Sequence, residues 1–384
     1  MARDVRYLVL AAIVVGYLFI HWRMGRWLSR QPFVGGNPRR MRLAWLLVAA
    51  MSLLVVAGGI LSVPRLARLF QPALWPIWVR AAALTWALLS LVAYCALWLW
   101  RHTPHFDPER RRMLRTTGGI ILAAPVAATG FGVLIERRSI RVNEVRVPLA
   151  GLPRELDGLR LVQLSDIHLG PFLSEKELAR AVDMANELRP HLALVTGDFI
   201  SSGGDPIDAC LHQLGRLRAD AGILGCLGNH EGYAGIERHT TVQASRRGIH
   251  ILRAKSTLVR FGDAVLNVAG VDYQSYYQAY LRGGEKLIRK DSVNILLSHN
   301  PDVFPVAARQ GFDLTVAGHT HGGQVNFEIF RHSLNVARFY TPYVYGLYQL
   351  GPSSAYVNRG IGTVGIPARI GAPPEVALIR LCAI

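Results

Sequence analysis

The amino-acid sequence predicts a chain of two parts: an all-α transmembrane region of about four helices, followed by an α/β domain with a largely parallel sheet. Long apolar runs fill the first 135 residues, whereas short β-rich runs alternate with helical patterns from about residue 145. The net charge of +17 is also distributed unevenly between the two parts.

The charge distribution points to a membrane as partner. Residues 1–141 contain 19 Arg, no Lys and four acidic residues, a net charge of +15, whereas the rest has 24 basic and 22 acidic residues, a net of +2. A basic excess suggests nucleic acid or an anionic membrane. Because the excess lies in the apolar part, no nucleic-acid partner is expected.

The cysteines indicate no special chemistry. Cys95, Cys210, Cys226 and Cys382 stand apart, without a C-x-x-C pair, so neither a zinc knuckle nor a redox motif is predicted. They allow a disulfide without predicting one, and we interpret them as apolar core or lipid-facing residues.

Four apolar runs make up the predicted membrane anchor, residues 1–140. A bilayer core requires about 20 apolar helical residues. The runs are apolar on all sides, unlike the one-sided stripe of a helix in a soluble protein. The spans lie near residues 7–22, 43–63, 78–100 and 118–135. Since the first is short and the fourth is glycine-rich, whether these two cross stays open.

Arginine-rich loops predict the orientation. Most arginines lie between runs one and two and between runs three and four, and such loops remain cytoplasmic. With four crossings, the residues after 136 lie outside, so we expect a multi-pass protein of the inner cell membrane with an extracytoplasmic C-terminal domain. The stretch Arg110–Arg115 is either an internal twin-arginine export signal or an ordinary cytoplasmic loop, and both interpretations export that domain.

Ionisable residues inside membrane spans commonly mark transport paths. The one candidate singled out in the apolar runs is Arg80, at the edge of the third run, where its side chain can reach the interface. Anchoring is therefore favoured over transport.

The C-terminal domain, residues 145–384, alternates predicted strands with predicted helices. A capping box from Ser174 to Glu177 opens a helix that extends to about Leu188. Two β-rich segments joined by Gly262-Asp263, Thr257–Phe261 and Val265–Ala269, indicate a hairpin. The other predicted elements are a helix at Pro206–Leu217 and strands at Leu159–Leu164, Leu192–Thr196, Ile223–Leu227, Ile295–Ser298 and Leu314–Ala317.

Asp, His and Asn residues follow each of these five strands. The blocks are Asp166-Ile167-His168, Gly197-Asp198, Gly228-Asn229-His230-Glu231, His299-Asn300 and Gly318-His319-Thr320-His321-Gly322-Gly323. Each block alone is weak, because Asp, Asn and Gly are common in turns and a single histidine is usually structural. Since ligands bind beyond the carboxyl ends of parallel strands, the five blocks together, at one edge of one sheet, predict a metal site.

The blocks D-x-H, G-D, G-N-H-[DE], isolated His and G-H-x-H, in this order, resemble the calcineurin-like metallophosphoesterase superfamily over about residues 150–384. The local sequences SDIHLG, GNHEGY, SHNPD and AGHTHGGQ, with the glycine-rich tail from Asn358, are similar to its bacterial membrane-associated, twin-arginine-exported branch. The resemblance implies a metallophosphoesterase-type α/β/β/α sandwich and a hydrolase of phosphomonoesters or phosphodiesters.

The resemblance also implies two divalent metal ions of the Mn, Fe or Zn class and their ligands. Asp166, His168 and His321 would hold the first ion, and Asn229, His299 and His319 the second, with Asp198 bridging both. A hydroxide shared by the ions would attack the phosphorus. His230 would protonate the leaving oxygen or, alternatively, act only as a structural neighbour of the ligands.

Other residues receive lesser expected roles. Glu231 and Asn300 would hold ligands in place, and Asp272 would contact substrate or orient a ligand. Gly322 and Gly323 would leave room for the substrate phosphate. Four further histidines match no block and are interpreted as structural: His191, His212, His239 and His250.

The anchor makes lipid-linked phosphate esters, such as a phospholipid or a UDP-diacylglucosamine type of nucleotide, one candidate class of substrate. The nucleotide precursor is cytoplasmic, so the predicted export argues against it. The alternative function is a non-enzymatic membrane protein whose metal domain binds a phosphorylated or protein partner, which the complete ligand set disfavours.

Overall fold

The structure is a computed structural model that describes residues 2–63, 66, 68–70, 75–102, 127–275, 279–329 and 332–384. The chain divides into two compact units, Met1–Gly130 and Phe131–Ile384. In the described residues the first unit is helical, and the second combines strands with helices.

Three long helices dominate the first unit. They are α1 (Ala2–Ser29), α3 (Pro38–Leu61) and α4 (Trp75–His102), with the short α2 (Pro32–Gly35) between the first two. Within the described residues, Leu8–Ser29, Pro38–Leu61 and Trp75–Leu99 are long and apolar enough to cross a membrane. Apolar side chains such as Leu46 and Leu53 are exposed on their surfaces, as expected for helices that face lipid. These helices coincide with the first three predicted spans.

The fourth predicted run falls mostly outside the described residues. Of residues 118–135, the structure describes those from 127 onward, and residues 127–134 form helix α5. The stretch Arg110–Arg115 lies outside the described residues as well. A fourth crossing therefore stays a prediction.

A polar contact joins the three long helices. His21 on α1 is buried, and its Nδ1 lies 3.1 Å from the Ser52 hydroxyl on α3. The Trp86 indole on α4 donates to His21 Nε2 at 3.0 Å. Arg80 is exposed, in agreement with its predicted position at a helix edge. The prediction that Arg80 is the one ionisable candidate in the spans is wrong, because His21 lies inside α1.

Two six-stranded sheets form the second unit. The first contains, in spatial order, β1 (Arg141–Leu149), β14 (Glu375–Ala383), β2 (Arg160–Leu164), β3 (Leu192–Thr196), β4 (Ile223–Cys226) and β5 (Ile249–Ile251). The second contains β12 (Gly346–Leu350), β13 (Ser353–Val357), β9 (Leu314–Ala317), β8 (Val293–Leu297), β7 (Ala264–Gly270) and β6 (Lys255–Phe261). A separate hairpin joins β10 (Asn326–Ile329) to β11 (His332–Asn335).

The strand pairings are mostly parallel, as predicted. Three pairs within the two sheets are antiparallel: β14 with β2, β12 with β13, and β6 with β7. The β6–β7 pair is the predicted hairpin, with Phe261 opposite Ala264 across the Gly262-Asp263 turn.

Helices cover the outer faces of the two sheets. They are α6 (Glu175–Glu187), α7 (Ile207–Leu214), α8 (Asn229–Ala234), α9 (Glu237–Ser245) and α10 (Phe304–Gln310). Helix α6 begins at the predicted capping box: the Ser174 hydroxyl accepts from the Glu177 N–H at 3.3 Å, and the Glu177 carboxylate accepts from the Ser174 N–H at 2.8 Å.

Three apolar cores separate these layers. The central core packs residues of the first sheet, such as Leu194, against residues of the second, such as Ile295. A second core lies on the outer side of the first sheet and includes Leu178 of α6 and Val162 of β2. A third core includes Ala307 of α10 and lies against the second sheet. The predicted α/β/β/α sandwich is confirmed.

The five loops of the predicted site leave two sheets rather than one. Strands β2, β3 and β4 belong to the first sheet, and β8 and β9 to the second. The prediction of a single sheet edge is therefore wrong. Strands buried on both faces give continuous apolar runs in either sheet, so the sequence pattern cannot assign a strand to one sheet or the other.

Candidate metal site

A first cluster consists of Asp166, His168 and His321, from the loops after β2 and β9. His168 Nε2 lies 3.1 Å from His321 Nε2, which lies 3.4 Å from Asp166 Oδ1. All three side chains are buried. One donor atom from each lies within 4.8 Å of the others, a spacing that could hold a metal ion.

A second cluster consists of Asp198, His299 and His319, from the loops after β3, β8 and β9. His299 Nε2 lies 3.0 Å from Asp198 Oδ2. The same carboxylate oxygen lies 3.5 Å from His168 Nε2 of the first cluster. Asp198 therefore lies at the junction of the two clusters.

Asn229 and His230 begin helix α8 beside Asp198. The buried Asn229 Oδ1 has no hydrogen-bond partner among the described residues, and a cation would satisfy this oxygen. His230 Nε2 lies 3.9 Å from Asp198 Oδ2, while its Nδ1 lies 2.7 Å from the Ser201 carbonyl oxygen. Because a carbonyl oxygen can only accept a hydrogen bond, the Nδ1 atom carries a proton. The Nε2 atom is then the ring nitrogen of His230 that is available on the side of Asp198.

Backbone strain is concentrated in these loops. Five of the predicted ligands have positive φ angles: Asp166 at 48°, His168 at 49°, Asp198 at 53°, His319 at 75° and His321 at 54°. Residues other than glycine rarely adopt this region, at a cost of about 1–3 kcal/mol each. Such strain persists where the surrounding structure imposes it, and it is typical of functional sites.

A chain of buried hydrogen bonds holds Asp166. The Ser165 hydroxyl donates to Asp166 Oδ2 at 2.6 Å, and the His319 N–H donates to both carboxylate oxygens at 2.9 and 3.0 Å. Behind Ser165, the Thr196 hydroxyl donates to the Ser165 hydroxyl at 2.7 Å, and Gln163 Nε2 donates to Thr196 at 2.8 Å. Gln163 and Thr196 were not predicted, although polar residues inside two apolar strands were a visible signal.

Glu231 holds the backbone around Asp198. Its carboxylate accepts from the N–H groups of Gly228 at 2.8 Å, Asp198 at 3.1 Å and Phe199 at 2.8 Å. These contacts agree with the supporting role expected for Glu231. Asn300, the other expected support, donates to the Gln274 carbonyl at 2.7 Å.

Close packing explains glycine at two positions of the loop after β9. A Cβ atom at Gly318 would lie 2.0 Å from the Ser165 Oγ atom, and one at Gly323 would lie 1.9 Å from Asn335 Oδ1. The expectation that Gly323 leaves room for a substrate phosphate is wrong, because Asn335 fills that space. A Cβ at Gly322 would meet the Arg359 side chain at 3.1 Å.

Arg369 is a fully buried residue that the sequence did not reveal. Its guanidinium donates to the carbonyl oxygens of Ala372 at 2.9 Å, Gly360 at 3.1 Å and His321 at 3.3 Å. It therefore ties the C-terminal loop to the loop that contains His321. Burial lowers the pKa of Arg369 to about 10, so the side chain stays charged at neutral pH.

Burial also controls the charge of the histidines. It lowers the pKa of His168 to about 3 and that of His319 to about 4, and it holds the pKa of His321 well below its usual value. These three imidazoles are neutral at pH 7, the state in which histidine binds metals.

The two carboxylates have opposite shifts. Burial raises the pKa of Asp166 to about 6. For Asp198, burial acts in the same direction, but His299 and His168 hold the pKa well below its usual range. Burial opposes a charge on His299, yet Asp198 and Asp166 raise its pKa to about 10. The two carboxylates therefore stabilise positive charge beside Asp198, which a proton on His299 or a cation can supply.

Tyr273 borders the second cluster and was not predicted. Its ring centroid lies 5.4 Å from that of His319 and 6.2 Å from that of His299. Burial raises the pKa of Tyr273 to about 12, so its hydroxyl keeps its proton at neutral pH. The neighbouring Asp272, expected to contact substrate or a ligand, instead accepts two hydrogen bonds from Arg253, at 2.8 and 2.9 Å.

Comparison with known proteins adds independent evidence. Residues 159–323 match the family model for calcineurin-like phosphoesterases. A "transmembrane protein with metallophosphoesterase domain" from Danio rerio is 31% identical over 281 residues, which cover 70% of this chain and 62% of the relative. The protein of the same name from Bos taurus is 29% identical over 292 residues, covering 72% of this chain and 64% of the relative.

The chain thus spans less than two thirds of the length of these two relatives. Over 281 residues, the "uncharacterized metallophosphoesterase YkuE" of Bacillus subtilis (strain 168) is 28% identical, and the match covers 71% of this chain and 97% of that protein. The family match extends from before β2 to Gly323 and includes all five blocks of the site. Residues 159–323 therefore form a calcineurin-like phosphoesterase domain, a domain type of metal-dependent phosphoesterases.

Proposed function

We propose that this chain is a membrane-anchored phosphoesterase that hydrolyses phosphomonoesters or phosphodiesters with the help of two divalent metal ions. The observation that carries the proposal is the position of Asp198. Its Oδ2 atom lies 3.0 Å from His299 Nε2, 3.5 Å from His168 Nε2 and 3.9 Å from His230 Nε2. One carboxylate oxygen at the junction of two clusters is suited to bridge two cations.

The donor atoms fit this assignment. In the first cluster, Asp166, His168 and His321 would hold one ion. The two Nε2 atoms of this cluster lie 3.1 Å apart, a separation that would let His168 and His321 contact one shared ion.

The second ion would be held by the second cluster together with Asn229. Its unpartnered amide oxygen supports this role. The ligands of both ions, Asp166, His168, Asp198, Asn229, His299, His319 and His321, combine oxygen and imidazole donors without thiolate, which suits the Mn, Fe or Zn class.

The chemistry supplied by bound ions of this kind is activation of a water molecule and neutralisation of charge on the phosphoryl oxygens. The protein contributes orientation and proton transfer. The Ser201 carbonyl holds the Nδ1 proton of His230 and so directs Nε2 toward Asp198. From this position, a proton on Nε2 would pass to the leaving oxygen of the ester.

The membrane anchor favours substrates that lie in the same bilayer. Three apolar helices would hold the chain at a membrane, where a phosphate ester with acyl chains reaches the site by lateral diffusion. Of the two candidate lipid classes, phospholipids agree better than UDP-diacylglucosamine with an extracytoplasmic domain.

We assign that topology, and a multi-pass location in the inner cell membrane, from the arginine distribution of the N-terminal unit. A reporter fused after Ile384 tests it: the reporter should be active outside the cytoplasm. A cytoplasmic signal would mean that an apolar run does not span.

A panel of phosphate esters tests the proposed activity on the full chain in detergent, after metal removal and reconstitution with Mn, Fe or Zn. We expect metal-dependent hydrolysis that Asp198→Asn eliminates. The exposed His212, outside both clusters, supplies the matched control, since His212→Gln should keep full activity. If the reconstituted chain binds metal but cleaves no ester, the enzymatic proposal fails and the binding function is favoured.

A further inference from the structure

An exposed apolar segment, Val336–Tyr340, lies beside the metal site. The exposed fractions of its large side chains are 61% for Val336, 87% for Phe339 and 84% for Tyr340. Arg338, between them, is also exposed. Grouped exposed apolar side chains of this kind mark surfaces that contact a protein, a ligand or a membrane.

Hydrogen bonds fix both ends of the segment to the loops that carry the ligands. Asn335 Nδ2 donates to the Gly322 carbonyl at 2.8 Å, in the loop after β9. The Thr341 hydroxyl donates to Asp302, in the loop after β8. Inside the segment, the Ala337 N–H donates to Asn335 Oδ1 at 2.9 Å. The segment is therefore held at a defined position against the loops after β8 and β9, which contain His299 and His321.

A second exposed aromatic residue borders the site from helix α8. Tyr233 has an exposed fraction of 76%, and its ring centroid lies 5.7 Å from that of His230. The site is thus flanked by exposed aromatic side chains on two separate elements. A small, highly charged phosphate ester would make no apolar contact with these aromatic side chains.

We propose that Val336–Tyr340 contacts the lipid bilayer and that the metal site acts on phosphate esters of lipids held there, an inference that rests on the proposed function. Aromatic rings combined with arginine are the composition preferred at the membrane–water interface, where the rings enter the headgroup region and arginine pairs with lipid phosphates. Three helices of the described chain are long and apolar enough to cross a bilayer, so a membrane surface is the partner that the chain itself supplies.

The reaction would proceed at the lipid headgroup. Water adds to the phosphorus, the P–O bond to the lipid alcohol breaks, and the released oxygen takes a proton. The acyl chains stay in the bilayer while the phosphate reaches the site beside Val336–Tyr340.

Photocrosslinking of the full chain in nanodiscs of phosphatidylcholine and phosphatidylglycerol tests the contact without relying on activity. A benzophenone amino acid replaces Phe339 in one variant and Leu258 in the control. Leu258 is an exposed apolar residue on edge strand β6. Lipid adducts are expected at position 339 and not at 258. Absence of lipid adducts at 339, equal labelling at both positions, or adducts to a second copy of the chain would overturn the proposal.

A kinetic comparison tests the consequence for catalysis. The double variant Phe339→Ser/Tyr340→Ser should lower kcat/KM for a phospholipid in vesicles by about tenfold or more, since two large apolar side chains are lost from the contact. Hydrolysis of a soluble chromogenic ester should be unchanged, and Leu258→Ser should alter neither. Equal losses on both substrates would overturn the lipid role. If no variant cleaves any ester, the proposed function fails. The lipid adduct at position 339 would still show whether Val336–Tyr340 contacts the bilayer.

Discussion

His168 Nε2 and His321 Nε2 lie 3.1 Å apart in the fold, although the two residues are 153 positions apart in the chain. Burial keeps both imidazoles neutral at pH 7, and both residues have strained backbone conformations. Two neutral imidazoles at this distance can share at most one N–H···N hydrogen bond. A cation shared by the two nitrogen atoms would stabilise the arrangement, which leads to a prediction about stability.

Metal binding should stabilise the folded domain. At a free metal concentration of about 100 times Kd, the free energy of unfolding should rise by about 2.7 kcal/mol. Thermal unfolding of the full chain in detergent, measured with and without Mn or Zn, should show a higher Tm with metal. The control His212→Gln should show the same increase, whereas an unchanged Tm in the unaltered chain would count against a metal site in the native fold.

Replacing the shared carboxylate should affect both ions. Asp198→Asn should eliminate hydrolysis and lower the metal content, because the amide provides one neutral oxygen where a charged carboxylate contacts both clusters. Elemental analysis of the purified variant gives the number of ions per chain. Full occupancy in this variant would disprove the bridging role.

His230→Gln should separate metal binding from proton transfer. The glutamine retains a polar side chain at the start of α8, and the ligands are untouched, so metal content should not change. The value of kcat should fall by about 10²–10⁴-fold, the range for loss of a general acid or base. Turnover close to that of the unaltered chain would show that His230 is only a structural neighbour of the ligands.

Metal binding should release a proton near neutral pH. Asp198 and Asp166 raise the pKa of His299 to about 10, so His299 is protonated at pH 7 before a cation binds. Because a metal ligand must be neutral, that proton leaves on binding, and the apparent affinity should rise as the pH increases from 7 toward 10. Calorimetry in two buffers of different ionisation enthalpy measures the protons released. A heat that does not depend on the buffer contradicts the assignment of His299.

Glu231→Gln should weaken the site indirectly. The carboxylate accepts from three backbone N–H groups, including that of Asp198, and a glutamine side chain offers only one oxygen. Metal affinity or activity should fall by about 10–100-fold, the usual effect of losing a residue that supports a ligand. Glu237→Gln is the control, at a position on α9 outside both clusters. Equal behaviour of the two variants would show that Glu231 does not support Asp198.

The candidate ligand residues stand out in the sequence because each of them follows an apolar strand with a local signal. Asp166, Asp198 and His319 were identified from their blocks, and the capping box at Ser174 and the hairpin turn at Gly262-Asp263 were read from neighbouring residues. Such signals depend on a few consecutive positions, since strand and helix periodicity and turn chemistry act over short range.

The sequence by itself determined three apolar helices, strands β2, β3, β4 and β6–β9 with helices α6 and α7, and the residue types at the strand ends. Only the tertiary structure decided that these strands form two sheets, that Asn335 fills the space beside Gly323, and that Arg369 lies buried behind His321. These features depend on contacts between residues far apart in the chain. Such contacts have no period and no fixed spacing, so they are set by how the packed layers meet.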